Sequence, residues 1–167
     1  MARTFLIVSV VLFSTRFSSV KSDAHFIDGI CKHTPNYKKC VSIIHSDPRR
    51  SATDVSGLAI IVVDALKTKS QAVMKLLRFK RSKLPALKLA YDSCISYYDA
   101  IINADIVEAR EALEKGDPKF AQNGMNDAAN EASFCETEFK GKSPITYYNQ
   151  DVHATAAIAS SIVQLLL

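Results

Sequence analysis

Residues 116–120, Gly-Asp-Pro-Lys-Phe, put a cation and an aromatic where a helix should begin. Gly116 suits the left-handed turn that ends one helix, Asp117 can cap the next, and Pro118 fits its first position. Lys119 and Phe120 serve neither purpose. A cation in a first turn opposes the helix dipole, and an exposed aromatic at a helix tip buries nothing. The chemistry that uses such a pair is recognition: an ammonium for a partner's carboxylate, a ring for its apolar surface. Other reactive side chains have plainer roles. Glu108, Glu111 and Glu114 recur every three positions, which lays them along one solvated outer face. There is no glycine-rich phosphate loop and no nucleophile elbow. His25, His33, His45 and His153 lack ligand spacing and no CxxC is present, so neither a metal nor a cofactor is expected. His153, next to Val152, is expected at the edge of a helix face. Nothing in this set calls for an enzyme.

The start of the chain bears on compartment. Arg3 precedes the apolar run Phe5 to Phe13, too short to cross a bilayer, and small residues Val20 and Ser22 follow. This pattern predicts a secretory signal peptide over 1–22, leaving 23–167 as one domain large enough for a core. Removing Arg3, Arg16 and Lys21 lowers the formal charge from +4 to +1. That is no nucleic-acid footprint, and no membrane span is expected. In a secreted chain, Cys31, Cys40, Cys94 and Cys135 point to two disulfides, for which sequence alone permits three connectivities. Pairing neighbour with neighbour is the simplest, and would make Cys31–Cys40 a staple for a small hairpin.

The elements that position these residues read as helices throughout. A hairpin over 23–48 consists of a helix from Asp23 to Lys32, a Thr34-Pro35-Asn36 turn, and a helix from Tyr37 to Ser46 halted by Asp47-Pro48. Four longer helices follow over 49–167. The first runs from Ser51 or Asp54 to Phe79, with Leu58, Ile61, Val62, Ala65, Leu66, Ala72, Val73 and Leu76 on one broad face. The second, Leu84 to Lys115, repeats Leu87, Tyr91, Cys94, Tyr98 and Ile101. The third, Pro118 to Phe139, repeats Ala121, Met125, Ala128, Ala132, Cys135 and Phe139. The last, Ile145 to Leu166, carries Val152, Ala156, Ala159, Val163 and Leu166. Steps of three and four put each set on one stripe, and short turns at Ser82, Gly116 and Gly141 make neighbours antiparallel. The expected fold class is all-α: an up-down-up-down four-helix bundle with a disulfide-stapled N-terminal helical hairpin. Cys94 and Cys135 both fall on inward stripes of antiparallel neighbours, which favours their pairing.

Two stretches have alternative readings. The basic run Leu76 to Lys83, "LLRFKRSK", reads as a solvated helix end where cations are favourable, with an acidic partner as the alternative. The tail "AIASSIVQLLL" resembles a lipid-anchor signal, yet its stripe spacing makes it the helix that closes the bundle. A bundle that holds a small ligand would need an internal pocket. The small residues Ala121, Ala128, Ala132, Ala156 and Ala159 argue for close helix packing instead.

Several blocks together carry a resemblance. "ICKHTPNYKKCVSIIHSDPRR", "SGLAIIVVDALK", "LKLAYDSCISYYDAIINADIVEAREALEKGDPKF" and "ASFCETEFKGKSPIT", followed by an apolar helix, resemble the plant inhibitors of invertase and pectin methylesterase across nearly the whole of 23–167. The resemblance implies first-with-second and third-with-fourth cysteine pairing, Cys31–Cys40 and Cys94–Cys135. "GDPKF" is similar to the contact loop of the cell-wall and vacuolar invertase inhibitors, which enters the enzyme's sucrose cleft. It implies target-binding roles for Pro118, Lys119 and Phe120, presented by Asp117, on an acid invertase (beta-fructofuranosidase), one inhibitor per enzyme. It also implies secretion to the cell wall (apoplast) or the vacuole. Inhibition of pectin methylesterase through outward bundle faces is the alternative within the same fold.

Overall fold

The computed structural model describes residues 24–52 and 54–167; the expected signal peptide, 1–22, lies outside the described residues. Helix α1 (24–31) and α2 (Tyr37–Ser46) form the N-terminal hairpin. The Asn36 side chain caps α2 by accepting from the Lys39 N–H at 3.1 Å, and the Thr34 hydroxyl donates to the Cys31 carbonyl at 2.7 Å. Cys31 and Cys40 are bridged, their Cα atoms 5.6 Å apart. Both sulfurs are buried with Ile27 and Ile44. The hairpin's orientation, which its sequence left undetermined, is fixed by charge. Lys39 of α2 and Lys69 on the next helix each reach the Asp151 carboxylate at 2.6 Å, tying the hairpin to the bundle.

Beyond a short 3₁₀ turn, Pro48–Ala52, α3 (Val55–Lys83) begins at Asp54, whose carboxylate accepts from the Gly57 N–H at 2.9 Å. It runs a turn past the expected Phe79, because Leu84 is the residue that Pro85 forces out of helical geometry. The second bundle helix comprises α4 (Lys88–Ala100), a π-turn at Ile101–Asp105, and α5 (Ile106–Lys115). Then come α6 (Pro118–Thr137) and α7 (Thr146–Gln164). Together these make the expected four-helix bundle, the second member being interrupted at its middle.

The expected inward stripes are buried on α4, α6 and α7, apart from half-buried Leu87 and Leu166 at the ends. On α3 the pattern departs. Ala72 is exposed, Ala65 and Leu76 are half-buried, and Met74 and Leu77 take up the core positions. A straight helix drifts about 20° per heptad, so over this length the inward face rotates away from a strict repeat. Cys94 and Cys135 are bridged between α4 and α6 with Cα atoms 4.7 Å apart. Closing that loop contributes about 4 kcal/mol in the chain-entropy picture. Tyr91 packs edge-on against Phe139 at 5.3 Å, and the Tyr98 hydroxyl donates to the Asn149 side chain at 2.9 Å.

The π-turn was not expected, and its cause is visible on α6. A Cβ on Gly124 would lie 2.6 Å from the Asp105 carbonyl oxygen, so α6 presses directly on the backbone of the turn. The i→i−5 register is seen where the Ile106 N–H donates to the Ile101 carbonyl. It also draws Asp105 inward: the residue is only 8% exposed and its Oδ2 has no hydrogen-bond partner. Glu131 on α6 likewise has a buried, unpartnered Oε2. Burial, with the nearby Asp127 and Glu108 charges, pushes the Asp105 carboxyl up to about 6. Burial, with Asp105 and Asp127, pushes Glu131 up to about 7.

Two outcomes follow from this seam. Gly124→Ala should destabilise the domain by about 1–3 kcal/mol despite alanine's better helix propensity, because the clash is with backbone. A calorimetric or circular-dichroism melt measures it, and an unchanged melting temperature would mean α6 is free to retreat. The second outcome concerns pH. Both carboxyls have folded pKa values above their ordinary range. Their contribution is therefore fully present below about pH 4 and is lost as pH rises through 6 to 7. At the other limit, hydrogen bonds from Arg49 lower the pKa of Asp47. Burial opposes the same shift at Asp151, but Lys39 and Lys69 hold it low; these pairs lose stability as acid protonates them. Melting temperature should thus peak on the acid side of neutrality, and Asp105→Asn with Glu131→Gln should flatten the neutral limb. A double variant with the wild-type pH profile would contradict the assignment.

Candidate functional site

The turn between α5 and α6 is built almost entirely from backbone. Gly116 has φ 77° and ψ 31°, the left-handed conformation that only glycine adopts without strain. Its N–H donates to Leu113 at 3.4 Å and the Asp117 N–H donates to Ala112 at 2.8 Å, which closes the end of α5 in a Schellman motif. Asp117 then leads into α6, though not in the manner its residue type suggests. Its side chain makes no capping bond; its carbonyl instead accepts from the Ala121 N–H at 3.4 Å. At φ −113° and ψ 76° it is outside the extended conformation that aims a capping side chain at the first turn. Pro118 takes the first helical position, where a missing N–H is harmless.

This frame points the next two side chains outward. Lys119 is exposed and carries no ion pair among the described residues, and α6 has no acidic residue in its first turn to neutralise it. Phe120 is 54% exposed. Immediately beneath them Ala121 and Met125 are fully buried, as are Ala112 and Leu113 to within a few per cent at the end of α5. A cation and an aromatic ring therefore stand on a packed base at one end of the bundle, in adjacent positions of one helix turn. The structure thus brings Pro118, Lys119 and Phe120 together at the tip, while Asp117 supports them through its main chain alone.

Sequence reasoning missed what lies beside the tip. A shallow recess of about 300 Å³ is lined by Glu108, Glu111, Ala112, Lys115, Asp117 and Phe120. Glu108 and Glu111 are exposed as expected for a solvated face, but they also wall this recess, and Glu111 pairs with Lys115 at 3.0 Å. The available signal was the register: residues three and four apart on α5 line up directly with the turn that follows. Among the described residues, no cluster of three or more His, Cys, Asp or Glu side chains is placed to hold a metal ion, and no helix is long and apolar enough to cross a membrane. His153 is exposed, at the margin of the α6–α7 seam.

Known proteins share both sequence and shape with this chain. The family model described as plant invertase/pectin methylesterase inhibitor matches residues 25–164. Cell wall / vacuolar inhibitor of fructosidase 1 of Arabidopsis thaliana is 40% identical over 141 residues, 84% of this chain and 69% of that protein. Pectinesterase inhibitor 2 of Arabidopsis thaliana is 26% identical over 135 residues, 80% of this chain and 78% of its own. The crystal structure of a mutant form of a pectin methylesterase inhibitor from Arabidopsis has the same fold, with a TM-score of 0.72 at 24% identity over 83% of this chain and 95% of that one. A stapled hairpin on a four-helix bundle, two cystines in the expected pairing, and a match over nearly all the described residues lead to one conclusion: the chain is an inhibitor domain, not an enzyme, and belongs to the plant invertase/pectin methylesterase inhibitor family.

Proposed function

We propose that the protein inhibits an acid invertase by placing the Pro118-Lys119-Phe120 tip in the enzyme's sucrose cleft. The observation that carries this reading is the unpaired Lys119 beside an exposed Phe120 on a rigid backbone-closed turn. Invertases resemble retaining glycosidases, which cleave with paired carboxylates, and an ammonium is the natural counter-charge for such a site. Phe120 would occupy apolar space next to it. Because the turn is already ordered, docking sacrifices little conformational entropy. The charge pair would be desolvated at the centre of the contact, the usual position of an energetic hot spot. The stoichiometry is one inhibitor per enzyme, competitive with sucrose. The 40% identity to an inhibitor of fructosidase supports the choice of target and fits secretion to the cell wall or vacuole.

A second reading, inhibition of pectin methylesterase, is favoured by a different surface. Phe134 on the outer face of α6 is 50% exposed and its ring lies 5.9 Å from that of half-buried Tyr97 on α4, so the pair carries aromatic surface from the core's edge to the outside. One experiment separates the two readings. The oxidised domain is assayed at mildly acidic pH against cell-wall invertase, vacuolar invertase and a pectin methylesterase. Lys119→Ala should raise the inhibition constant for invertase by at least about 30-fold, or about 2 kcal/mol, with an unchanged melting temperature. Loss of methylesterase inhibition in Phe134→Ala, with invertase unaffected by either variant, would install the second reading. A wild-type constant for Lys119→Ala would remove the first. Invertase inhibition should also weaken below about pH 4, where the opposing carboxylates lose their charge. A titration without that acid limb would contradict the ion pair.

A further inference from the structure

The end of the bundle remote from the tip has its own electrostatic character. With α4 through α5 running from Lys88 to Lys115, the two ends stand about 40 Å apart at 1.5 Å per residue. At the remote end α3 finishes, α4 begins and the α6–α7 loop passes over. Arg78, Lys80 and Lys83 come from the first of these, Lys88 from the second, and Lys140 and Lys142 from the third. Among the described residues none of these six is in an ion pair. Arg81 alone is matched there, by Asp92. Elsewhere cations share carboxylates: Lys39 with Lys69 at Asp151, Arg49 with Arg110 at Asp64. The tip end, by contrast, carries Glu108, Glu111, Glu114 and Asp117 against Arg110, Lys115 and Lys119, with Glu111 paired to Lys115 and Glu114 to Arg110. At the remote end the cations outnumber the carboxylates of Asp92, Glu136 and Glu138 that stand with them, whereas the charges at the tip nearly balance.

Helix electrostatics account for only part of this. Cations in the last turn of α3 complement its dipole, but Lys88 stands at the start of α4, where the dipole opposes it. Lys140 and Lys142 lie in the loop just past the end of α6, whose dipole favours a cation, and just before the start of α7, whose dipole opposes one. Among the described residues none of the six is ion-paired with the carboxylates of this end, Asp92, Glu136 and Glu138. Apolar side chains are interspersed with the charges. Phe79 is 61% exposed with the Lys83 ammonium 5.9 Å from its ring centre, and Leu89 is 82% exposed.

We infer that this remote end is a docking surface for an unesterified polyuronate, a polysaccharide with a carboxylate on each sugar. Five of the six unpaired cations are lysines, compact point charges on flexible stems that can each meet one carboxylate of a chain presenting them singly and at intervals. Exposed Phe79 and Leu89 suit the apolar faces of sugar rings. A lipid surface is the poorer match. The exposed side of α3 between Arg78 and Lys83 offers one aromatic, not the apolar stripe that seats a helix among headgroups. With this end on the polymer, the Pro118–Phe120 tip faces away from it. The inference does not depend on which enzyme the tip engages.

The test uses the whole oxidised domain at about pH 5.5 and low ionic strength, on immobilised polygalacturonate. Its fully methyl-esterified counterpart is the uncharged control, and phosphatidylglycerol vesicles are the lipid control. Wild type should be retained by polygalacturonate, released by a few hundred millimolar salt as screening shortens, and pass over the esterified polymer. Lys83→Gln/Lys88→Gln/Lys140→Gln/Lys142→Gln should weaken retention at least tenfold while its circular-dichroism melt stays that of wild type. Phe79→Ser should weaken it less, and Lys119→Ala should leave it unchanged. Absence of retention, equal retention by the esterified polymer, or undiminished retention of the fourfold variant would overturn the inference. So would tighter binding to the vesicles, which would make the surface a membrane contact.

Discussion

Everything in this domain depends on how closely α6 can approach its neighbours. Its inward face is nearly without side chains: Ala121, Gly124, Ala128 and Ala132 are buried, with Met125 and Cys135 as the larger members. Three contacts rely on that absence of bulk. Gly124 meets the Asp105 carbonyl, the Cys94–Cys135 bridge spans α4 and α6 at 4.7 Å, and α7 lays Ala156 and Ala159 into the opposite side. Dispersion at such range is large when summed, and it is lost quickly if the backbones separate. The orientation of the tip follows, because α6 cannot rotate without breaking the seam.

Much of the fold was legible because helix stripes and turn residues are local signals. The α2 bounds, the Asp54 cap, the Gly116 turn and the inward cysteines are all written in residue type and spacing. Features that depend on two elements meeting were less legible. The π-turn has one faint trace, a step of five between buried Ile101 and Ile106, and it is explained only by Gly124 on another helix. Asp117 looked like a capping side chain because aspartate usually is one, but the Schellman closure sets its backbone angles first. Ala72 failed as a core residue because heptad counting ignores helical drift. At the site, Lys119 and Phe120 were visible as residues out of place, whereas the recess beside Phe120 required α5 and α6 to be set in register.

The charges divide into three groups with separate duties. Shared carboxylates at Asp64 and Asp151 bind hairpin, α3, α5 and α7 into one body. Asp105 and Glu131 each bury one carboxyl oxygen without a hydrogen-bond partner and are accommodated best when protonated. At the two ends, Lys119 and six cations of the remote end have no ion pair among the described residues.

The backbone-closed turn has a consequence for how such a domain can acquire targets. Gly116 and two main-chain hydrogen bonds hold the corner, the Asp117 side chain makes no capping bond, and Lys119 and Phe120 are exposed. Shape is thereby uncoupled from lettering. Lys119 and Phe120 can be exchanged while the main-chain turn that presents them is kept, so changes there alter what the corner displays more than how it is held. The corner behaves as an interchangeable key bit on a fixed shank.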